Sequence, residues 1–111
     1  MKKYNFATIK EGKEDLWINW CAFLMEHKNE AASTLSEENL IREQCLIVDI
    51  EGRKYVQYLH ETIGDQNKLP ANLEKTINRL HLAIFSECLH PLKNTGFTPK
   101  EGVTLYDVTA E

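Results

Sequence analysis

The feature of this sequence that most constrains its fold is a pair of apolar segments separated by a very short polar turn. Residues 40–51 and residues 53–61 are both rich in β-branched, aromatic and aliphatic side chains. Only Glu51-Gly52, or a residue more, lies between them. A short acidic, glycine-containing turn between two such runs is typical of a β-hairpin. The pattern therefore predicts two strands that pair as antiparallel neighbours.

A strand and a long helix are predicted before this hairpin. In residues 3–10, Tyr4, Phe6 and Thr8 alternate with the residues between them, which indicates a strand. From Lys13 onward the apolar residues are spaced by three and four, which predicts an amphipathic helix of about six turns. Its apolar stripe includes Leu16, Trp17, Trp20, Cys21, Leu24, Ala31 and Leu35. Residues 36–39 form the polar turn that ends it.

A second helix and a last strand are predicted after the hairpin. Residues 62–71 read as a loop, and Asn72 is predicted to cap the helix that follows. The apolar stripe of this helix consists of Leu73, Ile77, Leu80, His81, Ile84, Phe85 and Cys88. His90-Pro91 ends it, because proline biases its predecessor away from the helical region. Residues 92–102 are irregular, and residues 103–108 predict the final strand.

The order of elements is therefore β-α-β-β-α-β, which predicts an α+β fold of the ferredoxin-like type. Two βαβ halves joined by a hairpin give one four-stranded antiparallel sheet with both helices on one face. Residues 1–111 are too few for two domains that each bury a stable core, so the chain is predicted to be a single domain.

The predicted sheet is apolar on both faces, although its helices cover only one. In the strand at 40–51, Leu46 and Val48 lie on one face, while Cys45 and Ile47 lie on the other. An exposed apolar face of several hundred Å² normally marks an interface. We therefore predict a homodimer that packs sheet on sheet through the helix-free face. The alternative is a monomer in which residues 91–102 fold over that face.

The composition limits the classes of partner that the protein is expected to bind and the cellular compartment in which it is expected. Thirteen basic residues against 17 acidic ones give a net charge of −4, which argues against nucleic-acid binding. No apolar run approaches the roughly 20 residues needed to span a bilayer, and residues 4–10 do not resemble the apolar core of a signal peptide. We therefore expect a cytoplasmic protein that binds neither nucleic acid nor a membrane. Cys21, Cys45 and Cys88 are predicted to be reduced and mostly buried thiols.

Two polar residues in apolar surroundings are the candidate catalytic residues. His81 lies on the apolar stripe of the second helix, and Glu43 opens a strand face that it shares with Cys45 and Ile47. Each needs a partner, because an unpaired buried polar group costs roughly 1–3 kcal/mol. If that face meets the helices, Glu43 and His81 can pair, and a carboxylate that orients an imidazole gives a general base near neutral pH. The alternative is a purely structural His–Glu or His–backbone hydrogen bond.

Four further side chains are candidate ligand contacts. Trp17 and Trp20 add aromatic bulk to the first helix, where they either fill the core or stack on a ligand. Tyr58 and His60 share one face of the third strand and either line a cavity or lie at its rim. A metal site is not indicated, because the histidine, glutamate and cysteine residues around position 88 lack the usual ligand spacing. We therefore expect no metal and no other cofactor.

A set of residues spread along nearly the whole chain carries a resemblance to a known family. These residues are Gly12-Lys13, Trp20-Cys21-Ala22-Phe23-Leu24, Thr34-Leu35, Glu43, Gly52, Tyr55, Tyr58 and, most specifically, His81 followed after five residues by Glu87-Cys88. In them the chain resembles a bacterial family of unknown function, domain-of-unknown-function family 6176. The resemblance implies a dimeric α+β barrel, a superfamily that includes cofactor-free monooxygenases, sugar mutarotases and proteins with no known activity. Because the family has no established activity, the resemblance implies no catalytic role for any residue.

The sequence leaves two functional hypotheses open. The first is a homodimer with a small-molecule pocket, between sheet and helices or inside the dimer barrel, that acts as a cofactor-free isomerase-like or monooxygenase-like enzyme. The second is a non-catalytic structural or interaction dimer whose buried polar groups specify packing. A cavity of a few hundred Å³ that both His81 and Glu43 reach favours the first hypothesis. A His81 ring enclosed by aliphatic side chains and bonded to the backbone favours the second.

Overall fold

The architecture is one antiparallel sheet with its helices on a single face. A computed structural model describes residues 1–111. The strands are β1 (Lys2–Ile9), β2 (Leu40–Ile50), β3 (Arg53–Thr62), β4 (Leu89–Pro91) and β5 (Val103–Thr109). The helices are α1 (Glu14–Glu26), α2 (Lys28–Glu37) and α3 (Thr76–Cys88). None of these helices combines the length and the apolar composition that crossing a bilayer requires.

The sheet confirms the α+β class but differs from the predicted arrangement. Its five strands lie in the order β4-β1-β3-β2-β5, and every neighbouring pair is antiparallel. The strand predicted at 103–108 is β5, which lies beside β2 at one edge. The short strand β4 takes the opposite edge beside β1, where Pro91 is tolerated because an edge strand leaves some N–H positions unpaired. The predicted four-stranded ferredoxin-like sheet is therefore not matched in strand number or in the place of the last strand.

The central hairpin is confirmed. β2 and β3 pair in a continuous register from Glu43 opposite His60 to the turn at Glu51-Gly52. Both turn residues have positive φ, 53° for Glu51 and 79° for Gly52. Such a pair matches the twist of the two strands, and the turn is closed by the Gly52 N–H, which donates to Asp49 Oδ1 at 3.0 Å. The turn thus fixes which residue of β2 faces which residue of β3.

The first helix is interrupted. The spacing of apolar residues predicts one helix over 13–35, whereas the structure has α1 and α2 separated at His27. His27 has φ −110° and ψ 36°, outside the helical region. Its backbone N–H and its ring Nδ1 both bond the carbonyl oxygen of Phe23, at 3.0 and 2.9 Å. Three helices, not two, therefore pack against the sheet.

The last helix begins later than predicted. The Asn72 side chain accepts the backbone N–H of Glu74 at 3.0 Å and closes a turn, while α3 itself starts at Thr76. The predicted apolar stripe is accordingly too wide, since Leu73 is 51% exposed and Leu80 is 42% exposed. The prediction failed here because Asn favours turns as strongly as helix caps.

The inner face of the sheet, the one against the helices, carries the main core. Buried residues of the sheet meet buried residues of all three helices, and they include Trp17, Trp20, Leu24, Leu35, Leu40, Tyr58, Ile77, Leu89 and Tyr106. The three cysteines are buried and free, as predicted. The inner face therefore holds the chain together and also determines what any cavity beneath the helices can contain.

The outer face, the one without helices, carries a smaller apolar cluster. Phe6 and Leu46 are buried there. They are covered by residues 92–102, whose Phe97 packs edge-on against Phe6 and Tyr55 with ring centroids 5.3 and 5.1 Å apart. This covering is the alternative to sheet-on-sheet pairing that the sequence left open. The homodimer itself stays a prediction.

The covering segment is tied to the sheet at two further points. A side chain at Gly102 would overlap the carbonyl oxygen of Ile47 on β2, so only glycine permits this approach. The Gln57 side chain donates to the Lys100 carbonyl at 3.2 Å and accepts the Lys100 N–H at 2.9 Å. The segment is therefore a fixed layer over the apolar part of the outer face.

We expect Glu51→Asn to stabilise the protein by about 1 kcal/mol, because Asn adopts positive φ at lower cost than Glu does. Urea denaturation monitored by tryptophan fluorescence measures the change. Glu101→Asn is the control, since Glu101 is exposed and its φ is not positive. If both substitutions changed the stability equally, the positive φ at position 51 would not be the cause of the stabilisation.

We expect Phe97→Ala to destabilise the protein by about 2 kcal/mol, roughly half the cost of deleting a fully buried Phe, because Phe97 is half-buried. The comparison is with Thr98→Ala, an exposed neighbour in the same segment. The midpoint of urea denaturation gives both values. A midpoint for Phe97→Ala equal to that of Thr98→Ala would contradict the packing of this segment on the sheet.

Candidate functional site

The register of the sheet brings four polar side chains together on the inner face. Glu43 of β2 lies opposite His60 of β3. Two residues further along β2, Cys45 lies opposite Tyr58 of β3 on one side and Tyr106 of β5 on the other. Side chains directly opposite one another are roughly 5 Å apart at Cβ, and diagonal neighbours are within reach of aromatic rings. Glu43, Tyr58, His60 and Tyr106 therefore form one cluster under the helices.

Glu43 is the centre of this cluster. Its Oε1 lies 2.8 Å from Nε2 of His60, and its Oε2 accepts the Tyr106 hydroxyl at 2.9 Å. Burial alone would raise the pKa of Glu43. The hydrogen bonds from His60 and Tyr106 and the proximity of His81 outweigh burial and lower this pKa to about 2. Glu43 is therefore an ionised carboxylate held inside the protein.

The ionised carboxylate determines the protonation of His60. A carboxylate can only accept hydrogen bonds, so Nε2 of His60 carries the proton that it donates to Glu43. In the neutral ring Nδ1 is then an acceptor, and it makes no hydrogen bond within the protein. Together Glu43 and His60 have the arrangement of a general base, in which a carboxylate orients an imidazole.

Tyr58 provides the one buried hydroxyl of the cluster without a partner. The residue is 4% exposed, and its hydroxyl makes no hydrogen bond. Burial, and then the proximity of Cys45 and Glu43, raise the pKa of Tyr58 well above its usual value, so the hydroxyl keeps its proton. Leaving such a group unpaired costs roughly 1–3 kcal/mol. The Tyr58 hydroxyl is thus a protonated, enclosed group beside Tyr106, with almost no surface that a ligand could reach.

His81 lies across the gap on α3 and is held by Trp20. The Trp20 Nε1–H donates to Nδ1 of His81 at 2.8 Å. Because an indole nitrogen only donates, Nδ1 of His81 carries no proton and Nε2 must carry it. Burial lowers the pKa of His81, an effect that Glu43 partly opposes, so the ring is neutral near pH 7. His81 therefore presents an N–H donor, not a base.

The predicted direct bond between Glu43 and His81 is not formed. Each of the two has other partners, His60 and Tyr106 for Glu43 and Trp20 for His81. The reason is the sheet register, which places a histidine directly opposite Glu43 on the neighbouring strand, nearer than any side chain of α3. The acid–base pair is therefore Glu43 with His60.

A cavity of about 430 Å³ opens between the sheet and the helices. Glu43, Tyr58, His60 and His81 all line it, together with Tyr106. Its walls are mainly apolar and consist of Leu24, Ala31, Leu35, Pro70, Ala71, Leu73, Ile77, Leu82, Phe85 and Val108. The exposed members of the lining belong to the loop before α3 and to α3 itself, so the cavity opens there and its polar end lies inside.

An ion pair lies at the open side of the cavity. Lys68 Nζ and Glu38 Oε1 are 3.0 Å apart, and both residues line the cavity. Glu38 is buried, and burial raises its pKa against the opposing effect of Lys68. The backbone N–H of Leu69 also donates to the Glu38 carbonyl at 2.9 Å. The loop before α3 is thus fastened over the cavity at the end of α2.

The two tryptophans lie outside the cavity lining. Trp17 is fully buried, its ring centroid 6.2 Å from that of His81 and 6.1 Å from that of Phe85. Trp20 is 5% exposed and contacts the cavity only through its hydrogen bond to His81. Of the four predicted ligand contacts, Tyr58 and His60 therefore line the cavity, whereas the tryptophans support it from behind.

Tyr106 is the member of the site that the sequence pattern did not single out. It lies within the predicted last strand, residues 103–108. A buried tyrosine usually finds a partner for its hydroxyl, and that was the available signal. No three or more His, Cys, Asp or Glu side chains come together as metal ligands anywhere in the chain.

Comparison with known proteins identifies the family to which the sequence is similar. A model of a family of unknown function, DUF6176, matches residues 5–108. No curated protein and no solved structure matches the chain. The match includes every residue that lines the cavity, from Leu24 to Val108.

We expect Glu43→Gln to reduce the loss of stability in acid. A carboxylate whose pKa falls from 4.5 to about 2 on folding contributes stability above pH 4.5, and this contribution is lost between pH 4.5 and 2. Its size is on the order of 3 kcal/mol. His81, whose pKa is also lowered by folding, adds a loss that begins as the pH falls below 6.5. Because the Glu43 charge opposes that lowering, the His81 loss is larger in Glu43→Gln and reduces the difference between the proteins.

Urea denaturation at pH 7 and at pH 3 measures the loss of stability in acid for the wild type, for Glu43→Gln and for the exposed control Glu30→Gln. The wild type and Glu30→Gln should lose more stability between the two pH values than Glu43→Gln does. Equal losses in all three proteins would mean that Glu43 is not held as a buried carboxylate.

Proposed function

The chain belongs to the family of unknown function DUF6176, and we propose that it binds a small organic molecule between its sheet and its helices and moves a proton on that molecule without a cofactor. The observation that carries the proposal is the cavity of about 430 Å³, with the ionised Glu43 carboxylate and the His60 that it orients at its inner end. This volume lies within the roughly 300–1,000 Å³ of typical ligand pockets.

The polarity of the cavity walls indicates what kind of ligand the cavity can bind. Eleven of the 19 lining residues are hydrophobic, with Tyr58 and Tyr106 counted among them. The charged pair Glu38–Lys68 lies at the opening, and Glu43 with His60 lies at the inner end. A sugar carries hydroxyl groups on all sides and would leave most of them without partners against such walls. The cavity therefore favours a ligand with an apolar ring or chain and few polar atoms, and it disfavours the mutarotase alternative.

The polar end supports proton transfer better than oxygenation. Glu43 holds the proton of His60 on Nε2 and leaves Nδ1 as a base, and the carboxylate stabilises the imidazolium that forms when this base takes a proton. Monooxygenase chemistry would want Trp, Tyr and Asn side chains around an aromatic substrate. Tyr58, Tyr106 and Asn78 line the cavity, but both tryptophans lie outside the lining. We therefore favour an isomerase-type reaction.

A thermal-melt screen of small metabolites tests the binding proposal. A ligand at ten times its dissociation constant stabilises the folded protein by about 1.4 kcal/mol, which raises the melting temperature of a domain of this size by several degrees. We expect compounds with compact apolar bodies to raise the melting temperature in this way. Ala31→Phe, which places a ring in the cavity, should abolish the shift.

Ala22→Phe is the matched control, since Ala22 is exposed on α1 and does not line the cavity. It should keep the full shift of the wild type. If no compound stabilises the wild type, or if Ala31→Phe responds as the wild type does, the cavity is not a ligand site. A non-catalytic structural role would then be the better explanation of the buried polar cluster.

A further inference from the structure

The charged side chains that line the cavity leave one negative charge without a cation. Lys68 is the only lysine or arginine in the lining, and its Nζ lies 3.0 Å from Oε1 of Glu38 at the opening. The other acidic residue of the lining is Glu43, whose hydrogen bonds come from two uncharged groups, the neutral imidazole of His60 and the hydroxyl of Tyr106. These bonds lower the cost of burying the carboxylate but do not neutralise it. The inner end of the cavity is therefore negative.

The Glu43 carboxylate also has hydrogen-bonding capacity that the protein does not use. An ionised carboxylate offers about four lone-pair sites to donors. His60 occupies one site on Oε1, Tyr106 occupies one on Oε2, and no other group of the protein donates to either oxygen. The Glu43 side chain is 16% exposed and lines the cavity. A donor carried by a ligand therefore finds free acceptor sites on an accessible, charged group.

The walls near this charge are suited to a cation with an apolar body. Tyr58, Phe85 and Tyr106 line the cavity, and the ring centroid of Tyr58 lies 5.8 Å from that of Phe85 and 6.1 Å from that of Tyr106. Aromatic rings attract organic cations, most strongly where water is excluded. An anion at the inner end would lose its hydration and be repelled by Glu43, so the cavity disfavours carboxylates and phosphates.

We infer that the ligand is an apolar organic cation with one protonated amino group, and that this group donates to the unused lone pairs of the Glu43 carboxylate. The inference rests on the proposed function and names the charge class of its substrate. A buried charge is normally paired with an opposite charge, and here the protein supplies none at the inner end. One charged nitrogen on an apolar body also agrees with the mainly apolar walls.

A positive charge on the substrate also assists the proposed proton transfer. A C–H bond of the substrate breaks, its proton goes to Nδ1 of His60, and its electron pair stays on the substrate until His60 returns the proton to another carbon. The ammonium group of the substrate stabilises that electron pair electrostatically. The Glu43 carboxylate stabilises the imidazolium that His60 becomes. No oxidant, reductant or second substrate is consumed.

Three compounds of similar shape test the charge class at pH 8. They are 4-methylbenzylamine, which is a cation, 4-methylbenzyl alcohol, which is neutral, and 4-methylbenzoate, which is an anion. NMR titration of the labelled protein gives the three affinities, and melting curves follow binding independently. We expect the amine to bind roughly tenfold more tightly than the alcohol, because its hydrogen bond to Glu43 joins opposite charges. The benzoate should bind more weakly than the alcohol.

Glu43→Gln removes the charge and keeps a side chain that can accept hydrogen bonds, so we expect it to abolish the preference for the amine over the alcohol. Glu30→Gln is the matched control, because Glu30 is exposed on α2 and does not line the cavity. It should keep the full preference of the wild type. If Glu43→Gln does not fold, the carboxyl carbon resonance of Glu43 in the wild type gives the same information. The amine should shift this resonance and the alcohol should not.

Three results would overturn the inference while leaving the ligand site in place. If the wild type binds the amine and the alcohol equally, the charge class is wrong. If Glu43→Gln keeps the preference for the amine, Glu43 is not its partner. If the amine shifts the carboxyl resonance of Glu38 and not that of Glu43, it binds at the opening of the cavity. A failure of all three compounds and of every metabolite to bind would instead overturn the proposed function as a whole.

Discussion

The buried carboxylate of Glu43 is the interaction on which the site depends. An ionised group inside a protein is costly unless hydrogen bonds compensate it, and Glu43 receives two of them, from His60 and Tyr106. Those bonds fix the proton of His60, while burial, helped by the negative charge, raises the pKa of Tyr58 and of Tyr106. Burial and this one charge thus act together on the groups at the inner end of the cavity, and removing either donor would leave the carboxylate with a single hydrogen bond from the cluster.

The position of Glu43 depends in turn on the central hairpin. A strand slipped by one residue turns every side chain to the opposite face, which here would move Glu43 to the outer face and away from the helices. The turn at Glu51-Gly52 prevents this, because its two residues of positive φ set the register of β2 against β3. A local feature at one end of the sheet therefore determines the chemistry at the other end, eight residues before the turn begins at Glu51.

The parts of the fold that are local in sequence could be predicted, and the parts set by distant contacts could not. The hairpin follows from two residues of turn chemistry, and counting back from it already places Glu43 opposite His60. His81 and Glu43 stood out as polar residues in apolar patterns, and both line the cavity. The break at His27, the edge strand β4 and the place of β5 depend on how remote segments pack. Tyr106 could not be assigned to the site for the same reason, because it reaches Glu43 from a strand 63 residues along the chain.

The empty space beside the polar cluster separates a ligand site from a structural cluster. The Trp17 indole and the Tyr58 hydroxyl lack hydrogen bonds, but both atoms are enclosed, so a missing partner alone does not indicate a ligand. Glu43 and His60 differ from them, because their side chains are 16% and 20% exposed and line the cavity. A cluster that existed only to specify packing would gain stability if apolar side chains filled that space. An open cavity beside a charge that His60 and Tyr106 already compensate is the arrangement expected where function is maintained at some cost in stability.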